Sequence, residues 1–327
     1  MRPIIRLVAA VGLVGLLFSC APKNAKIVGV AKFVSHPALD AIEKGIVDEL
    51  TASKPDYKID LQNANADMNT AAQIAQRFKD EKVAVAVGIA TPTAQALANQ
   101  IKDRPVIYSA VTDPVAAGLV ASMDKGGANI TGTSDMTPVA KQLDLLRALK
   151  KDIKRIGNIY ASGEANSVTI AGIVKKYCQD NGLEYVESTI TNSSEAKQAL
   201  LSIAGRIDGL YLGNDNTVFS ALSGIAEVAL EKKIPVVTAD PSSAETIPVL
   251  AAMGYDYYKM GVATGKIVVR VLNGEKTENI PAYLPTDSAD MSSVLNLDTA
   301  KKIGIKVDQS IIDQAKVVIS DGQLTMK

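Results

Sequence analysis

The chain is 327 residues long, with 35 Lys and Arg against 35 Asp and Glu, one histidine, two cysteines, no tryptophan and 4% aromatic residues. That length exceeds one small core and fits two lobes of ordinary size. The balanced charge favours no polyanionic partner, so no nucleic-acid partner is expected, and the single histidine restricts imidazole-based catalysis to His36.

Arg2 and Arg6 precede an uncharged run from Leu7 to Phe18. At about twelve residues the run is too short for a bilayer core, which takes roughly 20, and it reads as a signal peptide over residues 1–19. It ends in "LLFSC". A small residue before Cys20 resembles the lipobox of bacterial lipoproteins, which implies acylation of Cys20 and a lipidated tether over residues 20–26. An ordinary secretory signal with an incidental cysteine is the alternative. Acyl chains on Cys20 would hold the protein on a membrane surface without a transmembrane helix. Loss of residues 1–19 leaves 33 basic side chains against 35 acidic.

Short Val- and Ile-rich runs then alternate with Ala-rich amphipathic stretches, first "KIVGVAKFV" and "ALDAIEKGIVDEL", later "VAVAVGIA", "IGNIYA" and "IDGLYLG". Near-continuous apolar strands of this kind belong to parallel sheets covered by helices on both faces, so the class is α/β. No biased linker or charge block breaks the pattern, and the whole mature chain reads as folded. In "TIAGIVKKYCQDNG", Ile170, Ile173, Val174, Tyr177 and Cys178 recur at helical spacing. Cys178 is therefore a core residue, and as the one thiol left in the mature chain it excludes an intramolecular disulfide framework.

Three strand ends of the first half have counterparts about 127 residues later. "GVAKFVSHPALD" around Ser35 has the layout of "GNIYASGEANSVT" around Glu164, and "VGIATPTAQALA" around Thr91 that of "LYLGNDNTVFSAL" around Asp215. "RPVIYSAVTDPVAAG" around Asp113 matches "KIPVVTADPSSAET" around Asp240. Each is a strand, a polar loop and a helix start. Ligands of open parallel sheets bind outside the strands' carboxyl ends, so two such lobes facing each other bring all six loops into one cleft.

Within those loops, Thr91 is placed as an N-cap with Pro92 at the first helical position. The amides at and after Thr93 and Ala94, with the Thr91 and Thr93 hydroxyls, form a receptor for a carboxylate. Opposite them Glu164, Asp215 and Asp240 supply acceptors for an ammonium group or sugar hydroxyls. An anion site facing an acid cluster suggests a zwitterion. Phe33 and Tyr160, at corresponding strand ends, could sandwich a flat apolar group.

An enzyme is not expected. No nucleophile pattern lies near His36, and G-x-S-x-G, Walker A and G-x-G-x-x-G sequences in the right context are missing. Clustered His or Cys is lacking, and "NANADMN" and "GNDN" fail Ca²⁺-loop spacing, so neither metal nor cofactor is expected.

Together, "HPALDA", "DLQNANADMNTAAQIAQRF", "GIATPTAQ", "AVTDPVAAGLV", "NITGTSDMTPVAKQLDLL", "EANS" and "DNTVFSAL" resemble the substrate-binding lipoproteins of ABC importers in the tryptophan/aromatic amino acid binding family. The resemblance runs from about Lys26 to Ile305. It implies the type I periplasmic-binding-protein fold: two Rossmann-like α/β lobes with parallel sheets, joined by three hinge strands and closing on a ligand. Lobe 1 is expected over residues 27–136 and 257–284, lobe 2 over 137–256 and 285–327, with crossings near Ser134 to Pro138, Met253 to Tyr258 and Tyr283 to Met291. Carried over, the family's cleft-facing motifs fall on Phe33, His36 and Pro37; on Ala90, Thr91, Pro92 and Thr93; and on Thr112 and Asp113. From the second lobe come Glu164, Asn166 and Ser167; Asp215, Asn216 and Thr217; and Asp240. The expected function is capture of an α-amino acid, aromatic in side chain, by an exported, lipid-anchored monomer that presents it to an ABC permease. A sensory receptor, or a transport receptor for a sugar or nucleoside, are the alternatives; scarce aromatics weaken the sugar reading.

Overall fold

The computed structural model describes residues 26–327; the expected signal segment and Cys20 lie outside the described residues. The first lobe alternates strands β1 (Lys26–Lys32), β2 (Tyr57–Asn63), β3 (Val85–Ile89), β4 (Val106–Ser109) and β5 (Ile130–Gly132) with helices α1 (Pro37–Ser53), α2 (Met68–Asp80) and α3 (Thr91–Gln100). The strands lie in the order β2-β1-β3-β4-β5, every pair parallel. Every residue of β3 and β4 is buried, because helices cover both faces of the sheet. Ile42, Ile46 and Leu50 of α1 and Ala71, Ile74 and Phe78 of α2 recur at helical spacing and turn into this core. Each large side chain so buried contributes roughly 1.5–3 kcal/mol.

The second lobe comprises α4 (Val139–Leu149), β6 (Arg155–Ala161), α5 (Ala165–Asp180), β7 (Glu184–Ile190), α6 (Ala196–Ile203), β8 (Gly209–Leu212), α7 (Asn216–Ser220), α8 (Leu222–Lys232), β9 (Val236–Thr238), α9 (Pro241–Ala244) and β10 (Ala251–Tyr255). The order β7-β6-β8-β9-β10, all parallel, repeats the first lobe strand for strand. The duplication visible in the sequence is thus an identity of topology. Cys178 is buried in this lobe, as its helical spacing requires.

After β10 the chain returns to the first lobe as α10 (Tyr257–Leu272), then re-enters the second sheet as β11 (Met291–Asn296), α11 (Leu297–Ile303), α12 (Gln309–Gln314), β12 (Val317–Ser320) and β13 (Gln323–Met326). Here β11 runs antiparallel to β10 and β13 antiparallel to β12, so the second sheet is mixed at this end, an extension that the repeat did not predict. Asp321 and Gly322 join β12 to β13 with φ of 51° and 70°, the left-handed pair that a two-residue hairpin needs.

The chain crosses between sheets three times, over residues 133–138, at Asp256 and over residues 285–290. The first crossing is bonded to the segment leading into the third, Ser134 N–H donating to Tyr283 O at 2.7 Å, and the second to the third, Asp256 N–H donating to Asp290 O at 2.8 Å. Helix α10 lies directly on α1. A Cβ on Gly261 would sit 2.2 Å from Ile42 O, and one on Gly45 2.3 Å from Tyr258 O, so glycines let the two backbones touch. Among the described residues no helix is long and apolar enough to cross a membrane.

Candidate functional site

Parallel strand–helix units put every strand's carboxyl end on one edge of the sheet. The two edges face each other here. Residues following β1 (His36, Ala38, Leu39), β4 (Ala110, Thr112), β6 (Asn166) and β8 (Asn214, Asp215, Asn216, Phe219) line one cavity, with Asp135 added from the first crossing and Tyr257 from the start of α10. The cavity measures about 10 Å³, close to the minimum for one water. The lobes are shut, and His36 and Phe219 meet across them edge to face at 5.7 Å. Any organic ligand must part this pair. A larger recess of about 350 Å³ between α4, α12 and β11 is walled by Leu145, Ala148, Val294, Leu295 and Ile311, and none of the buried unpartnered polar atoms faces it.

Those atoms locate the site. Buried polar groups are almost always hydrogen-bonded, yet among the described residues both nitrogens of His36, Thr91 Oγ1 and Asn166 Oδ1 have no partner, along with Tyr108 Oη in β4. The first three residues come from facing strand-end loops of both lobes. Burial pushes the His36 imidazole down from its ordinary pKa against the opposing pull of Asp240, Asn216, Asp40 and Glu164, so the ring is neutral at pH 7.

Two carboxylates line the cavity. Asp215 caps α7, accepting from Val218 N–H at 2.8 Å and Ala161 N–H at 2.6 Å. Burial, and then the nearby Glu164 charge, push its pKa up to about 7. Asp135 accepts from Thr112 Oγ1 at 3.0 Å and, across the lobes, from Asn214 Nδ2 at 2.7 Å. Its pKa is also raised by burial. Both carboxylates sit where a cation would relieve the cost of their charge.

The remaining expected residues divide clearly. Glu164 is buried, but Thr217 N–H and Oγ1 fill one of its oxygens and Asn166 and Asn216 side chains the other, so it organises these residues. Asp240 caps α9, bonded to Ser243 N–H and its hydroxyl, and lies outside the cavity lining. Ser167 is buried at the start of α5. Several expectations are corrected. The first bond of α3 runs from Ala94 N–H to Ala90 O, which makes Ala90 the N-cap, Thr91 the first helical residue and Pro92 the second. Ala90 takes φ 76°, a strained conformation for a residue with a Cβ. Thr93 Oγ1 donates to Ile89 O and Ala90 O, so its hydroxyl proton is not free for a carboxylate. Phe33 packs in the first-lobe core, and Tyr160 donates to Glu187 at 3.1 Å away from the cavity, so they form no sandwich. Pro37 is exposed at the start of α1, and Asp113 holds its own turn by accepting from Val115 and Ala116 N–H.

The sequence reading missed Asp135, Asn214, Phe219 and Tyr257. Asn214 and Phe219 flank the "DNT" segment it singled out, but Asp135 lies in a crossing and Tyr257 just after one, at the start of α10, and neither has a counterpart in the repeat.

Residues 27–319 match the family described as ABC transporter substrate binding protein. A tyrosine-binding protein of Clostridioides difficile (strain R20291) is 38% identical over 303 residues, covering 91% of this chain and 86% of that one. The ABC domain in complex with L-Trp from Streptococcus pneumonia superposes with a TM-score of 0.85 at 34% identity, over 90% of this chain and 99% of that one. The ligand-free, open structure of a substrate binding protein with adhesive properties from Clostridium difficile gives 0.64 at 39% identity, over 86% and 96%. This chain thus superposes better on the L-Trp complex than on the ligand-free, open structure, at slightly lower identity.

Proposed function

The chain belongs to the ABC transporter substrate-binding proteins, and from that premise we propose that it captures an α-amino acid with an aromatic side chain between its lobes and presents it to a membrane permease. The observation that carries this reading is that His36 and Asn166, each with unpartnered buried polar atoms, and two carboxylates line one interlobe cavity. The ligand's ammonium lies against Asp215 and Asp135. Its carboxylate takes the first free amides of α1, at Ala38 and Leu39 on the cavity wall, or those of α3 beside the Thr91 hydroxyl. The side chain displaces the His36–Phe219 contact. The tyrosine-binding relative and the L-Trp complex favour the same ligand class.

Closure follows as a population shift, because groups from both lobes hold the ligand only when shut. The arginines, apolar run and "LLFSC" at the start of the chain support export and anchoring by lipid on Cys20. A thermal-shift screen of ligand-stripped protein against amino acids, sugars and nucleosides tests the ligand class. At 100 times the dissociation constant a ligand adds about 2.7 kcal/mol, a shift of a few degrees at this size. Stabilisation by sugars or nucleosides alone would sink the proposal.

A further inference from the structure

His36 is the only histidine in the chain, is 5% exposed, and lies on the cavity wall with neither ring nitrogen partnered. It stands at the N-cap of α1, yet its side chain makes no capping bond. Helix capping therefore does not account for the ring's position. Phe219 of the opposite lobe touches it edge to face, with the ring planes 82° apart. A buried imidazole with a free donor and a free acceptor, against an apolar ring, suits an aromatic group that itself carries a hydrogen-bonding atom.

We propose that His36 reads the ligand's side chain by hydrogen-bonding a phenol hydroxyl or an indole N–H while Phe219 packs against the same ring. The inference rests on the aromatic amino acid reading and adds that L-tyrosine and L-tryptophan are preferred to L-phenylalanine. L-phenylalanine would leave both imidazole nitrogens desolvated and unbonded in the closed state. A site built to bond a ligand group rejects the analogue lacking it far more strongly than it senses a methylene.

Calorimetric titration of the protein with L-tyrosine, L-tryptophan and L-phenylalanine tests this. The expected result is L-phenylalanine weaker than the other two by about tenfold or more. In His36→Phe the gap closes through loss of L-tyrosine affinity, and in His36→Gln, which keeps a donor and an acceptor, part of it returns. A second readout needs no variant. With ¹⁵N-labelled histidine the single imidazole gives unambiguous signals, which should move on adding L-tyrosine and respond differently to L-phenylalanine. Equal affinity for L-tyrosine and L-phenylalanine, with the same imidazole response to both, overturns the inference while leaving the ligand class standing. If none of the three binds the unaltered protein, the ligand class itself fails and the inference falls with it.

Discussion

Asp215 makes the most quantitative prediction. Burial and Glu164 hold its pKa at about 7 when the cleft has no cation. An ammonium set against it would return it toward the ordinary carboxylate range near 3.9. Binding then expels whatever proton Asp215 carried, most of one well below pH 7 and little of one well above it. Titrating L-tyrosine in two buffers of different ionisation enthalpy measures the protons released by Asp215 and Asp135 together, and the same titration of Asp215→Asn isolates the share of Asp215. Affinity should fall below pH 7, approaching tenfold per unit. Asp215→Asn should lower the proton release to the share of Asp135 and weaken binding more than tenfold, since the ammonium loses one of its two charged partners in a desolvated site. The ligand-free protein carries the opposite sign. A folded pKa raised above the unfolded value costs stability progressively from about pH 4 to pH 7, and fully above that. The melting temperature of Asp215→Asn relative to the native protein should therefore improve from pH 5 to pH 8. Heats at pH 6 that do not depend on the buffer would refute the role given to Asp215.

Other consequences are simpler. Gly261→Ala should lower the melting temperature by several degrees, because its methyl would meet the Ile42 carbonyl at 2.2 Å and force α1 from α10; an unchanged melt would show that the helices part without cost. Ala90→Gly should stabilise the protein by about 1 kcal/mol in denaturant titrations by relieving φ 76°, and destabilisation would contradict that strain. Cys178 is buried with its thiol pushed up to about 11, so Ellman's reagent should label it only at the rate of unfolding. Rapid labelling of native protein would mean that α5 opens locally.

The strands of both lobes were legible because apolar runs such as Val85–Ile89 are buried on both faces and leave no polar residue to blur the pattern. The loops were legible because duplication aligns their strand ends. What escaped the sequence has physical causes. Asp135 enters the cavity from a crossing and Tyr257 from the residue that follows one, where no repeat marks them. Phe219 faces the cleft because α7 is a five-residue helix, too short for an apolar stripe to show its direction. Tyr160 and Phe33 share repeat positions but point away from the cavity, since alternation along a strand sets the direction and the repeat alone does not. The β12–β13 hairpin carries an Asp-Gly turn signal, Asp321-Gly322, which lies outside the repeating strand–helix units.

The most direct test is a crystal structure of the protein grown with L-tyrosine or L-tryptophan. The account predicts the ligand between the lobes, its nitrogen within hydrogen-bond distance of Asp215 or Asp135 and its carboxylate on the amides that begin α1 or α3. A ligand seated in the outer recess between α4 and α12, or shut lobes with nothing between them at saturating ligand, would contradict it.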